Sequence, residues 1–381
     1  MLTNRLSNVK AVVFEGPDCC GKSTQVDGFI HESLKYQENE VIIKIHFPFN
    51  INGDDKLKQN YNNLINTIYS ENFFKDDPSY ENAMNRNVKL YDVLKDNIMF
   101  NSEDKQTFIY VLSKLLTGEA VDIYTKYMNG KLGGASIKEL LTNPNCEIWF
   151  NGNSIDTSSD EELKMVLNYF KSVEYPPKVL LVFDRFIMSG IIYNYLLPKK
   201  VFETYHSKGI IGDETYNNLK NSLFDVMEVF QREQTTYELD AFNELLRTPV
   251  FSFSQLDYDD VSNYCDPKVL WFVFKESKII YQAFLNDKER KSEAYDTNDI
   301  LRESVNEIFE DIIMYGNKSK NLLDNKFNML TVDSDESIKT FKEQSKEIIS
   351  LRLNNVFEYI VKKYKEIELQ INSFLTEIKY K

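Results

Sequence analysis

Residues Gly16-Pro17-Asp18-Cys19-Cys20-Gly21-Lys22-Ser23, with Thr24 next, fit the spacing G-x-x-x-x-G-K-[ST]. The chemistry of such a run is phosphate binding. Its glycines let the backbone curl until N–H groups face phosphate oxygens, and the helix that follows adds the positive end of its dipole. In this pattern Lys22 reaches the β- and γ-phosphates of a nucleoside triphosphate and the Ser23 hydroxyl holds Mg²⁺. The required flanks are present: the apolar run Ala11–Phe14 lies before the loop, and Val26, Phe29, Ile30 and Leu34 fall on one helical stripe after it. The expectation is a nucleoside triphosphate site with Mg²⁺, formed by Gly16, Asp18, Cys19, Cys20, Gly21, Lys22, Ser23 and Thr24.

A second pair able to do phosphate chemistry, Asp184-Arg185, directly follows the apolar run Val179–Phe183. A carboxylate there can hold a metal-bound water, and an arginine grips a phosphate through its planar fork. The same two residues could instead form a buried structural ion pair. His46-Phe47-Pro48 follows Val41–Ile45, and Asp333-Ser334 follows Met329–Val332. In an open parallel sheet the C-terminal strand ends line one crevice where ligands bind. Gly16, Pro48, Asp184 and Asp333 share that placement.

The elements that must position these residues are five short apolar runs: Ala11–Phe14, Val41–Ile45, Val179–Phe183, Val269–Phe274 and Met329–Val332. Runs of this kind alternating with helical patterns predict an α/β fold, a five-stranded parallel sheet flanked by helices. Two long stretches, about 50–178 and 197–266, interrupt it. They are rich in Asn, Lys, Asp and Tyr, yet Leu219, Leu223, Val226 and Phe230 keep helical spacing, so both read as helical insertions. One domain over 1–350 and a C-terminal helix over 351–381 complete the expected organisation.

Composition narrows the class. A formal charge of -14 argues against a sequence-independent grip on nucleic acid or an anionic membrane, so any phosphate site must be a small positive pocket in an acidic body. Four scattered cysteines (Cys19, Cys20, Cys146, Cys265) make no disulfide framework and read as reduced thiols. Residues 1–10 contain no apolar leader and no run approaches a membrane span, which predicts a cytoplasmic protein.

The fuller string from Phe14-Glu15 to Thr24-Gln25 resembles the opening F-E-G-x-D-x-x-G-K-S-T-Q of the thymidylate kinase family. Asp184-Arg185-Phe186-Ile187-Met188-Ser189-Gly190-Ile191-Ile192-Tyr193 resembles that family's D-R-[YF]-x-x-S-x-x-x-[YF]. Phe47-Pro48, Tyr110-x-x-x-Lys114, Asp333-Ser334 and a charged lid at about 286–297 with Lys288, Arg290 and Lys291 are weaker echoes. The resemblance implies a P-loop NTPase fold, a homodimer, and Mg²⁺-dependent transfer of phosphate from ATP to a deoxynucleoside monophosphate, dTMP first. It implies that Asp18 touches the acceptor's 3′-hydroxyl and pairs with Arg185, and that Tyr193 packs under the sugar. It also implies acceptor contacts from Phe47 and Pro48, Ser189 at the base edge, Tyr110 on the base face, Lys114 where the family has arginine, and Asp333 near ATP. Two departures stand out. Cys19 occupies a position where many members carry an arginine, which leaves Arg290 of the lid to bridge donor and acceptor, and Phe49-Asn50 offer no arginine after Pro48. Two alternatives stay open: a deoxynucleoside kinase with Glu15 as base, and a nucleotide-binding assembly protein that has lost catalysis. The long insertions could reshape the base pocket or extend a dimer interface.

Overall fold

The structure, a computed structural model, describes residues 9–36, 39–46, 112, 115, 131–132, 135–136, 146–173, 178–220, 224, 228, 269–285, 299–322, 329–333 and 335. Its strands are β1 (Val9–Glu15), β2 (Val41–His46), β3 (Lys131–Leu132), β4 (Ala135–Ser136), β5 (Cys146–Phe150), β6 (Asn153–Ile155), β7 (Val179–Asp184), β8 (Val269–Phe274) and β9 (Met329–Val332). Its helices are α1 (Lys22–Tyr36), α2 (Asp160–Ser172), α3 (Ile187–Ile191), α4 (Leu197–Ser207), α5 (Asp213–Leu219), α6 (Lys278–Leu285) and α7 (Asp299–Leu322), with a π-helical turn, Ile192–Leu196, between α3 and α4.

The five apolar runs all form strands. They lie in one sheet of order β6-β5-β2-β7-β1-β8-β9, while β3 and β4 make a separate ladder. β7 sits between β2 and β1 and pairs parallel with both. β8 pairs parallel with β1 and β9 with β8. All six β7 residues are buried, as expected of a parallel strand with both faces covered. On one face, Val12 and Phe14 of β1 meet Val26, Phe29 and Ile30 of α1, together with Leu180, Val182, Phe272 and Phe274. On the other, the Phe183 and Phe186 rings meet at a tilt with centroids 4.5 Å apart, and Phe186 lies 6.4 Å from Trp271. α7 packs on β8 and α4.

The sheet is nevertheless mixed and seven-stranded, not five-stranded and wholly parallel. β5 and β6 form an antiparallel hairpin, and β5 adds antiparallel to β2, from Val41 opposite Phe150 to Ile45 opposite Cys146. The stretch 50–178 is therefore not purely helical. Asn151 and Gly152 form the hairpin turn with φ of 47° and 84°, the left-handed pair that a two-residue hairpin requires. The hairpin covers the edge that β2 would otherwise leave open. Lys44 of β2 ties it down, with Nζ 2.7 Å from both Glu147 of β5 and Asp27 of α1. In the stretch 197–266 the described elements, α4 and α5, are helical. Leu223, Val226 and Phe230, the segment 286–297 and the expected helix 351–381 lie outside the described residues.

Candidate functional site

β1 ends at Glu15, and the chain crosses the sheet edge through residues 16–21 before α1 begins at Lys22. Gly16 is required by contact: a Cβ there would lie 2.7 Å from Phe274 Cβ, 3.1 Å from Cys20 Sγ and 3.2 Å from the Phe274 carbonyl oxygen. Cys19 and Gly21 adopt φ of 58° and 85°. Left-handed residues interleaved in so short a loop are the means by which successive N–H groups are turned toward one anion. Lys22 is buried to 5% exposure, whereas Ser23 and Thr24 are exposed.

The second component comes from β7. Register places Asp184, its last residue, beside Phe14 of β1 and His46 of β2. His46 Nδ1 lies 2.9 Å from Asp184 Oδ2. A carboxylate can only accept, so Nδ1 carries the proton and donates. Oδ1 has no hydrogen-bond partner among the described residues, and the Lys22 ammonium stands 3.6 Å from it. Burial opposes ionisation of Asp184, but Lys22, the His46 bond and the neighbouring Ser23 hydroxyl hold its carboxyl well below the usual range.

Arg185 follows with φ of 69°, a conformation that costs a non-glycine residue free energy and is often found at functional positions. Its own N–H donates to the Phe14 carbonyl at 2.9 Å, which fixes the turn against β1. Its Nη2 bonds Asp18 Oδ1, and its guanidinium carbon lies 5.1 Å from the centre of the Tyr193 ring. The Tyr193 hydroxyl donates to Asp18 Oδ2 at 3.4 Å from within the π-helical turn, a local widening that recurs at functional sites. Arg185 Nη1 is buried with no partner among the described residues. Burial would raise the Asp18 carboxyl, yet Arg185 and then Lys22 outweigh it and keep the group ionised.

Lys22, Asp184, Arg185, Asp18 and Tyr193, expected from sequence to share a site, are thus brought together. Asp333 directly follows β9 at the same sheet edge, with Oδ2 3.4 Å from Lys275 Nζ. Ser189 is different. It is fully buried, and its hydroxyl donates to Glu15, so it is closed to a substrate's base edge. Glu15 accepts in addition from the backbone N–H of Phe186 at 2.8 Å and of Ser189 at 3.3 Å. Both oxygens are used in clamping β1 to the turn after β7. Phe47, Pro48, Tyr110, Lys114 and Arg290 lie outside the described residues.

Sequence reasoning gave no role to His46, whose significance comes from register alone. It also missed Arg302 of α7. Arg302 lines a recess with Pro17, Asp18, Cys19, Glu276 and Tyr281, pairs with Glu276 at 2.5 Å, and lies 4.6 Å over the Tyr281 ring.

The donor set suits Mg²⁺, which takes one or two protein oxygens and completes its shell with phosphate and water. Ser23 offers an exposed hydroxyl, and Asp184 offers an ionised oxygen with no hydrogen-bond partner among the described residues. Among the described residues no cluster of three or more His, Cys, Asp or Glu could hold a metal by itself, and no helix is long and apolar enough to cross a membrane. Cys19, Cys20 and Cys146 form no disulfide among the described residues, and burial pushes the Cys146 thiol up to about 12. Set against protein-family models, curated proteins and solved structures, the chain matches none of them.

Two outcomes follow from this geometry. Gly16→Ala forces the loop off Phe274 and should lower stability by about 1–3 kcal/mol through overpacking, read from urea midpoints. Gly212→Ala, whose Cβ would meet nothing within 4 Å, is the silent control; equal midpoints for the two variants would contradict the close approach at Gly16. For Glu15, burial raises the carboxyl above its ordinary value of 4.5 despite the bonds from Ser189 and Phe186. The stability it contributes is full below 4.5 and is lost as pH rises through the folded value. Glu15→Gln, which stays uncharged and can donate to Ser189 Oγ, should gain stability relative to wild type as pH is raised. Urea midpoints at a series of pH values read this, and parallel curves would refute it.

Proposed function

We propose that this chain is a P-loop phosphotransferase of the thymidylate kinase type, moving a phosphoryl group from ATP to a deoxynucleoside monophosphate, with dTMP the first candidate. In this reading the parallel strands β2-β7-β1-β8-β9 are a P-loop NTPase core inside the mixed sheet, and the β5–β6 hairpin is an addition to it. A homodimer in the cytoplasm goes with the same family resemblance.

The observation that carries the reading is the pairing of two buried cations with two carboxylates at one sheet edge. Lys22 stands against Asp184, and Arg185 is bonded to Asp18, which also feels Lys22. Phosphoryl transfer requires alignment and charge neutralisation at both ends of the transferred group rather than a covalent intermediate. Lys22 neutralises the donor's β- and γ-phosphates. Arg185 takes the acceptor phosphate with the edge that carries the orphaned Nη1. Asp18 orients Arg185 and accepts from the sugar's 3′-hydroxyl, while Tyr193 closes the floor beneath the sugar. Mg²⁺, held through Ser23 and Asp184, would offset charge on the donor phosphates. Phe47, Pro48, Tyr110, Lys114, Asp333 and Arg290 keep the roles that the resemblance implies. The deoxynucleoside kinase alternative needs a carboxylate base, and Glu15 is unsuited, because it is fully buried with both oxygens engaged.

A steady-state assay of ATP–Mg²⁺ with each common dNMP and NMP, and with thymidine, tests the proposal. A dNMP should be the preferred acceptor, and Lys22→Ala should lower kcat by about 10²- to 10³-fold, as loss of one charge-stabilising group does. Arg185→Lys should raise KM for the acceptor far more than KM for ATP. Preference for thymidine over dTMP, or wild-type turnover no faster than that of Lys22→Ala, would contradict it.

A further inference from the structure

Asp184 is bound in a lopsided way. Oδ2 is held by His46 Nδ1 at 2.9 Å, while Oδ1 is buried with no hydrogen-bond partner among the described residues, and Lys22 Nζ is 3.6 Å from it. Oδ1 thus faces the Lys22 ammonium and the Ser23 hydroxyl, while the His46 bond fixes which of the two oxygens does so. Its origin is in the backbone, since parallel register sets His46 directly across from Asp184 at the last rung of β2 and β7. The ring is not core packing either, for it is 37% exposed at the site's edge.

We infer that His46 is a positioning residue: through Nδ1 it fixes the Asp184 carboxylate so that one oxygen, Oδ1, is left to face the divalent cation bound with the nucleotide. The inference rests on the proposed role of Ser23 and Asp184 as the protein's oxygen ligands. Without His46 the carboxylate is free to turn onto the Lys22 ammonium. Two contacts are then lost together, because the cation loses an oriented oxygen and the lysine is drawn from the phosphates. Ligand-orienting partners of this sort typically contribute about 10- to 100-fold in metal affinity.

The test uses the full chain, a non-hydrolysable ATP analogue and Mn²⁺ as a paramagnetic probe, with bound and free Mn²⁺ separated by electron paramagnetic resonance. His46→Ala should weaken nucleotide-dependent Mn²⁺ binding by about 10- to 100-fold, and raising Mn²⁺ should recover most of the lost kcat. His46→Asn puts an amide N–H where Nδ1 was and should restore affinity toward wild type. His46→Gln, whose amide reaches the Nε2 position instead, should not. If wild type binds Mn²⁺ with nucleotide and all three variants match it, the inference is overturned while the site assignment survives. If wild type shows no nucleotide-dependent Mn²⁺ binding, the assignment of the site falls and His46 with it.

Discussion

The parallel register of three strands governs everything at this site. β7 lies between β1 and β2, and all three run the same way, so their C-terminal ends reach one edge together. Phe14, His46 and Asp184 occupy the same rung. Residues separated by more than a hundred positions meet because backbone hydrogen bonds leave them nowhere else to go. Glu15 reinforces this by accepting from the N–H groups of Phe186 and Ser189 at the end of β1, so the start of the loop after β1 and the Asp184-Arg185 turn are held together.

Electrostatics accounts for the rest. In a body of formal charge -14, two cations are taken out of water beside the loop, and a desolvated charge is tolerated only when paired. Asp184 and Asp18 supply the pairing. Neither pair is saturated, since Asp184 Oδ1 and Arg185 Nη1 both lack hydrogen-bond partners among the described residues. Arg185 also holds a left-handed backbone conformation. Unspent hydrogen-bonding capacity and local strain at the same few residues are what a site organised for charged ligands requires.

Much of this was legible in the sequence. The five core strands announced themselves because buried parallel strands need apolar residues on both faces, which leaves short unbroken runs such as Val179–Phe183. The sharp loop after β1 was legible because Gly16 answers to a geometric need, its close approach to Phe274. The hairpin was missed although Asn151-Gly152 is a strong turn signal, since the polar residues around it favoured a helical reading of the whole stretch. The inward turn of Ser189 onto Glu15 was not legible, because residue type and spacing do not say which face of a short helix turns inward. His46 was beyond reach, because its partner lies 138 positions away and only strand register joins them.

The central claim is that a donor triphosphate and an acceptor monophosphate meet end to end between Lys22 and Arg185. A bisubstrate analogue, thymidine joined to adenosine through a polyphosphate, tests it most directly in inhibition assays against both substrates. The account predicts competition with ATP and with dTMP alike, weakened by Lys22→Ala and by Arg185→Ala. Competition with ATP alone, unaffected by Arg185→Ala, would contradict it.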